Sequence, residues 1–299
     1  MLSECNTVQR TSQLSKCLDA KQRESSEIIV TMALVLSFIR KDLAIALSYK
    51  MQFIFQLFQV FFGIAVIYFI GKMVSSGGST PLLKQYGADY FAFAIVGLAI
   101  NSYMKAGILT VTNDLRQSMN QGILESLCAT PVRYWMLLFY STIWPFVFET
   151  FRIGIYFIFG YIFFDLSLPQ ANWCGGLLVL LFTIPIFVML GIISCSILVV
   201  IKRGDPVNWF FSSISGILAG TMFPISVFPK WLHSVALCLP LTHSLEAMRR
   251  CLLTGSDLSG VKLHLLVLIG FVLSLAPLTI IVNKICMNRA RQQGSFGSY

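Results

Sequence analysis

The chain has 299 residues, of which 56% are hydrophobic and only 12% charged, and its mean hydropathy is +0.77. A water-soluble domain of this length carries far more surface charge, so the composition excludes one and points to a protein solvated largely by lipid. The formal net charge of +9 does not signal nucleic acid, because the Lys and Arg residues flank apolar spans and form no aromatic-interleaved patch.

Residues 1–27 are polar, mixed in charge and rich in Ser and Gln. Without the apolar core of a secretion signal, they read as a loosely ordered cytosolic extension. Residues 28–50 are apolar but interrupted by Arg40, Lys41 and Asp42. A charge at mid-span costs about 2.5–3.5 kcal/mol, so an amphipathic helix lying on the inner leaflet is expected there. A crossing uses roughly 20 apolar residues, and the first is expected over about 51–70, the second over about 89–111. Residues 112–133 are polar, with Leu115, Met119, Ile123, Leu124 and Leu127 at helical spacing; they predict a short amphipathic helix outside the membrane.

The third span, about 134–164, holds Pro145, a reason to bend; the fourth covers about 173–200 and the fifth about 207–223. Between Pro224 and Lys262 the prolines Pro224, Pro229 and Pro240 punctuate a stretch whose Trp231, Leu232 and Val235 are apolar. A helical hairpin dipping back into the outer leaflet before the last span, about 263–282, accounts for it. The plan is therefore all-α: the extension 1–27, a six-span domain over 28–285, and a basic cytosolic tail over 286–299. With the amino end inside, the inner segments carry most of the Lys and Arg, and only Lys72, Lys84, Lys230, Arg249, Arg250 and Lys262 fall outside. That bias places both termini in the cytosol.

No phosphate-binding loop is present, since the only Gly-Lys pair, Gly71-Lys72, is followed by Met73. Zinc-helix and serine-elbow motifs are missing too, so no catalytic residue and no metal site are expected, and the chain does not read as an enzyme. His233, His243 and His264 are isolated, with no second ligand at helical spacing. The eight cysteines include no C-x-x-C pair; Cys238 and Cys251 share the outward segment and are the one pair to consider for a disulfide.

Polar groups inside spans carry more information, because an unpaired one is costly in hydrocarbon. Ser48, Gln52, Gln56, Gln59 and Gly63 share one helical face, which reads either as interhelical hydrogen bonding or as a polar wall of a translocation path. Gly97, Asn101 and Lys105 share another. Glu149 and Arg152, three apart, are placed to neutralise one another within the third span. Ser212, Gly216 and Gly220 form a small-residue stripe suited to close helix packing, within the chain or against a second copy. The many Phe residues, such as Phe58, Phe61 and Phe163, either face lipid or hold an apolar ligand.

Two ordered motifs then carry a resemblance. The segment from Arg116 through Gly122, Glu125, Thr130 and Pro131 resembles the cytoplasmic helix of the type-two exporter permeases of ATP-binding-cassette (ABC) transporters, the ABC-2 type. The run through Pro224, Pro229, Trp231, Pro240, His243, Glu246 and Arg249 is similar to that family's outward hairpin. The resemblance implies two facing six-span permeases, as a homodimer or related heterodimer. It also implies two copies of a separate ATPase subunit, which use ATP and Mg, while this chain binds no cofactor directly. Coupling would run through Arg116, Gly122, Glu125, Thr130 and Pro131 and through Arg40 and Lys41 of the interfacial helix. The path would lie where spans two and five of the copies meet, with Asn101, Ser212 and Gly216 on it, beside Gln52, Gln56 and Gln59.

The expected cargo is a hydrophobic or amphipathic drug or lipid, with a lipid-linked polysaccharide as the alternative, and the expected location a bacterial or archaeal inner membrane. From another class, an ion-coupled carrier or channel remains, with Pro145 and Pro277 allowing bends and Lys105 as coupling site.

Overall fold

The computed structural model describes residues 40, 50–76, 89–120, 134–166, 168, 171–201 and 205–292. The chain divides into residues 1–50 and 51–299. Within the first unit only Arg40 and Lys50 are described, both helical, and the rest of the expected interfacial helix lies outside the described residues. Every regular element among the described residues is helical: α1 Lys50–Ser76, α2 Tyr90–Asn120, α3 Tyr134–Phe164, α4 Trp173–Ile201, α5 Pro206–Trp209, α6 Gly216–Leu218, α7 Lys230–Leu237, α8 Pro240–Leu253 and α9 Leu258–Gln292. A π-helical turn, Phe210–Ser215, joins α5 to α6, and a 3₁₀ turn, Ile225–Val227, precedes α7.

Five helices among the described residues are long and apolar enough to cross a membrane, over Ile54–Val74, Tyr90–Gln117, Thr142–Phe164, Trp173–Ile201 and Leu258–Arg289. Helix is the form these stretches take because each backbone N–H and C=O finds its partner inside the segment, which hydrocarbon demands. The second of them runs further than the 89–111 expected from sequence: α2 continues without a break to Asn120, and Leu115 is buried against the core. Arg116 thus stands on the extension of the spanning helix, exposed, and not on a separate one.

The expected fifth span, 207–223, is shorter in the structure. Its helical run covers 206–218, about 20 Å at 1.5 Å per residue, against a hydrocarbon core of about 30 Å. It begins where Asp205 caps α5, its Oδ1 accepting the Asn208 N–H at 3.0 Å and the Ser194 hydroxyl of α4 at 2.6 Å, with Pro206 in the first helical position. It stops at Gly220, whose φ of +77° only glycine adopts freely. The Gly220 N–H reaches Ile217 O at 3.0 Å and the Thr221 N–H reaches Gly216 O at 3.1 Å, the double bond pattern that closes a helix C-terminus.

The core lies along α2 and α4. Where they cross, a Cβ on Gly191 would stand 2.3 Å from Gly107 O, and one on Gly107 would stand 2.8 Å from Phe187 Cβ, so the backbones meet with no side chain between them. Helix α8 packs against both, with Leu241, Leu245, Met248 and Leu252 buried. Helix α1 joins through Val60, Ile64 and Ile67 and through Phe61, whose ring has Phe159, Phe163 and Phe164 of α3 around it at 5.8–6.2 Å between centroids. The opposite faces of α1 and α9, with Phe55, Phe58, Phe62, Leu263, Leu273 and Ile280, are exposed apolar surface.

Candidate functional site

The polar and glycine residues of α2 converge on the short helical run 206–218 and the turn after it. Gly97, Asn101 and Met104 lie at i, i+4 and i+7, one face of the helix. Each meets a residue of the neighbouring segment: a Cβ on Gly97 would stand 2.1 Å from Thr221 O, a Cβ on Gly216 would stand 3.1 Å from Asn101 Oδ1, and Ser215 Oγ lies 3.3 Å from Met104 Sδ. Ser215 also donates to Phe211 O inside the π-helical turn. Such turns open a helix ladder and recur at functional sites. Asn101 is buried and its Oδ1 accepts no hydrogen bond. Inside an apolar bundle an amide oxygen with no partner among the described residues costs free energy.

Of the path residues expected from sequence, the structure brings Asn101 and Gly216 into contact. Ser212 stands one turn before Gly216, half-buried, its hydroxyl 3.5 Å from Trp209 O. Lys105 is exposed, so the α2 face that meets the neighbour is completed by Met104 instead. On α1, Gln56 is half-buried and Gln59 exposed, flanking the packed edge that Val60 and Ile64 form, and Gln52 is on the same helix. Gly220 does not extend the small-residue stripe: it closes the helix, because its φ takes it out of the helical register.

Glu149 and Arg152 pair as expected, with Nη2 donating to Oε1 at 2.5 Å. Ser102 of α2 stands near the carboxylate, and Tyr103 of α2 bonds Thr150 of α3 at 2.8 Å, so the charges sit in a polar seam between α2 and α3. Pairing of this kind is what makes charge tolerable at mid-span.

The segment read from sequence as an outward hairpin forms two helices, α7 and α8, joined at Cys238 and Leu239. Its prolines act as helix starters: Pro224 precedes the 3₁₀ turn, Pro229 precedes α7, and Pro240 opens α8. Trp231 is exposed on α7, and Glu246 accepts from Arg250 Nε at 3.2 Å. Arg249, counted from sequence among the charges of the outer segments, is only 2% exposed. Its guanidinium lies over the Phe93 ring, and its Nη2 donates to Thr221 O at 2.8 Å.

His243 and His264, isolated in sequence, meet with Nδ1 atoms 3.3 Å apart, while His243 Nε2 faces Leu237 O at 2.9 Å. No spacing within either helix signals that contact. Cys238 and Cys251 are both free thiols and form no bridge; Cys238 is exposed, whereas Cys251 is buried under α4 at Gly175, and burial pushes its pKa up. No group of three or more His, Cys, Asp or Glu residues suited to a metal ion occurs among the described residues. Nor do Gly71 and Lys72 form a phosphate cradle: both lie within α1, and Lys72 Nζ sits 5.5 Å from the Tyr68 ring centre. Gly122, Glu125, Thr130, Pro131 and Lys41 lie outside the described residues; Arg40 is helical and exposed.

Long apolar helices, an internally neutralised charge pair and exposed apolar faces define an integral, multi-pass membrane protein. Residues 33–253 match the ABC-2 type transporter family, well over half of the chain, and the protein belongs to that family of membrane transport components. No curated protein matches it in sequence.

Proposed function

We propose that the chain is the permease subunit of an ATP-driven exporter that moves a hydrophobic or amphipathic compound, a drug or a lipid, out of the cytosol or inner leaflet. The observation that carries this reading is the seam where Asn101 faces Gly216, a buried amide oxygen without a partner beside a π-helical turn. Two copies of the chain facing each other through this seam and the glutamine edge of α1 form the path, and Ser212 lies on the same wall. The 206–218 run is the fifth of six crossings, short enough to need local thinning of the bilayer. Helices α7 and α8 form the outward re-entrant hairpin, and both termini face the cytosol of a bacterial or archaeal cell.

Separate ATPase subunits, two per transporter, use ATP and Mg. They dock against the segment from Arg116 to Pro131 and the interfacial helix with Arg40 and Lys41, and their closure on ATP tilts α2, the helix that carries Arg116 at one end and Asn101 along its path face. No bond in the cargo is broken. The test is ATP hydrolysis in liposomes by the chain co-purified with candidate ATPases, across a panel of amphiphiles and glycans. Stimulation by amphiphiles that is lost when residues 116–130 are deleted is expected. Stimulation by lipid-linked glycans alone moves the cargo to polysaccharide. Uptake driven by a sodium or proton gradient without ATP overturns the reading in favour of an ion-coupled carrier.

A further inference from the structure

A cavity of about 210 Å³ lies among α2, α3, α4 and α8, apart from the Asn101–Gly216 seam. Its walls include Ile100, Phe157, Leu177 and Met248, and one side is opened by Gly154 of α3, where an added Cβ would meet nothing within 4 Å. Two hydroxyl groups of its lining are spent internally. The Thr150 hydroxyl donates to Phe146 O at 2.8 Å, so the Tyr103 hydroxyl donates to Thr150 Oγ1, also at 2.8 Å, and neither hydroxyl proton is left for the space. A buried water needs two to four polar partners, which this mainly apolar lining offers poorly, whereas apolar cavities of about 150 Å³ already bind benzene.

The mouth lies on α4. Trp173 and Leu177 are 57% and 67% exposed, continuous with the apolar surface that lipid covers, and Trp173 begins the span, at the depth where indole rings favour the membrane interface. A helix with side chains is about 10 Å wide, too broad for such a space, which argues against a segment of a second copy. A chain one methylene wide fits it.

We propose that this cavity is a binding site for one acyl chain of a membrane phospholipid, entering between Trp173 and Leu177 and ending against Tyr103. The site is built by a single subunit and does not depend on the export reading.

The full chain in nanodiscs containing a phospholipid with a diazirine on its acyl chain provides the test, with labelled positions read by mass spectrometry. Labelling at Tyr103, Phe157 and Leu177 should saturate with probe and fall severalfold under a tenfold excess of unlabelled phospholipid. Gly154→Leu, which fills the cavity, should lower it about tenfold. Gly270→Leu on α9, where a Cβ likewise meets nothing within 4 Å, should leave it unchanged. Labelling that never saturates, or that tracks exposure equally on α9 at Leu263 and Leu273, overturns the proposal. So does displacement by transported amphiphiles but not by phospholipid, or cross-linking of Leu177→Cys to a second copy. If Gly154→Leu fails to fold, saturation and competition on the unmodified chain decide.

Discussion

The guanidinium carbon of Arg249 lies 3.5 Å from the centre of the Phe93 ring, which ties α8 to the start of α2 inside the bundle. The same side chain donates to Thr221 O at 2.8 Å and so holds the turn that ends the short helical run. A desolvated cation–π contact is worth about 2 kcal/mol, and a buried carbonyl left without its donor costs about 1–3 kcal/mol. Arg249→Met is therefore expected to lower the thermal unfolding midpoint in detergent clearly. Arg249→Lys should rescue little, because an ammonium cannot both stack flat on the ring and reach the carbonyl. A Lys variant that melts like the parent would refute this account.

The Gly97 and Gly191 contacts leave no room for a methyl group, since the atoms in the way are backbone oxygens that cannot rotate aside. Gly97→Ala and Gly191→Ala should each cost about 1–3 kcal/mol or more, as overpacking does. Gly63→Ala, where a Cβ meets nothing within 4 Å, should be neutral. Parallel melting curves of the three variants test the contrast, and equal midpoints would count against the close crossings.

Glu149→Gln removes one charge and strands Arg152 within a span, at a cost of about 2.5–3.5 kcal/mol for an unpaired central charge. The double variant Glu149→Leu with Arg152→Leu removes both and should recover much of the loss. A double-mutant cycle on unfolding free energy reads the coupling directly. Strictly additive effects would show that the two side chains do not act as a pair.

His243 Nε2 faces a carbonyl, which can only accept, so that nitrogen carries the proton and Nδ1 is left as an acceptor. The Nδ1–H of His264 then donates across the 3.3 Å gap. Nitrogen NMR of the labelled protein at neutral pH should find the Nε2–H tautomer at His243 and the Nδ1–H tautomer at His264. His264→Phe should destabilise by about 1 kcal/mol, the net worth of an ordinary hydrogen bond. The opposite tautomers would rule out the arrangement.

Much of the architecture was legible because the signals are local. Apolar runs of sufficient length mark the five long helices, and Glu149 and Arg152 stand one helical turn apart, so spacing alone predicts their bond. Prolines ahead of α7 and α8 announce helix starts for the same local reason. Asn101 and Gly216, singled out from sequence on separate spans, lie side by side, which spacing within either helix does not predict. That Arg249 is buried was not legible, because counting loop charges cannot see that a ring from another helix shields it. Gly220 fits a four-residue stripe in sequence, yet its dihedral angle, not its spacing, decides its part.

By itself the sequence determined that this is a helical membrane protein, since hydropathy and turn chemistry are properties of neighbouring residues, and its motifs from Arg116 to Pro131 and from Pro224 to Arg249 carried the resemblance to the ABC-2 family that it belongs to. Tertiary structure alone decided which helices touch at Gly107 and Gly191, that His243 meets His264, that Arg249 is buried, and that four helices leave an apolar cavity beside Gly154. Those facts depend on side chains far apart in the chain, whose meeting is set by packing of whole helices rather than by any local pattern.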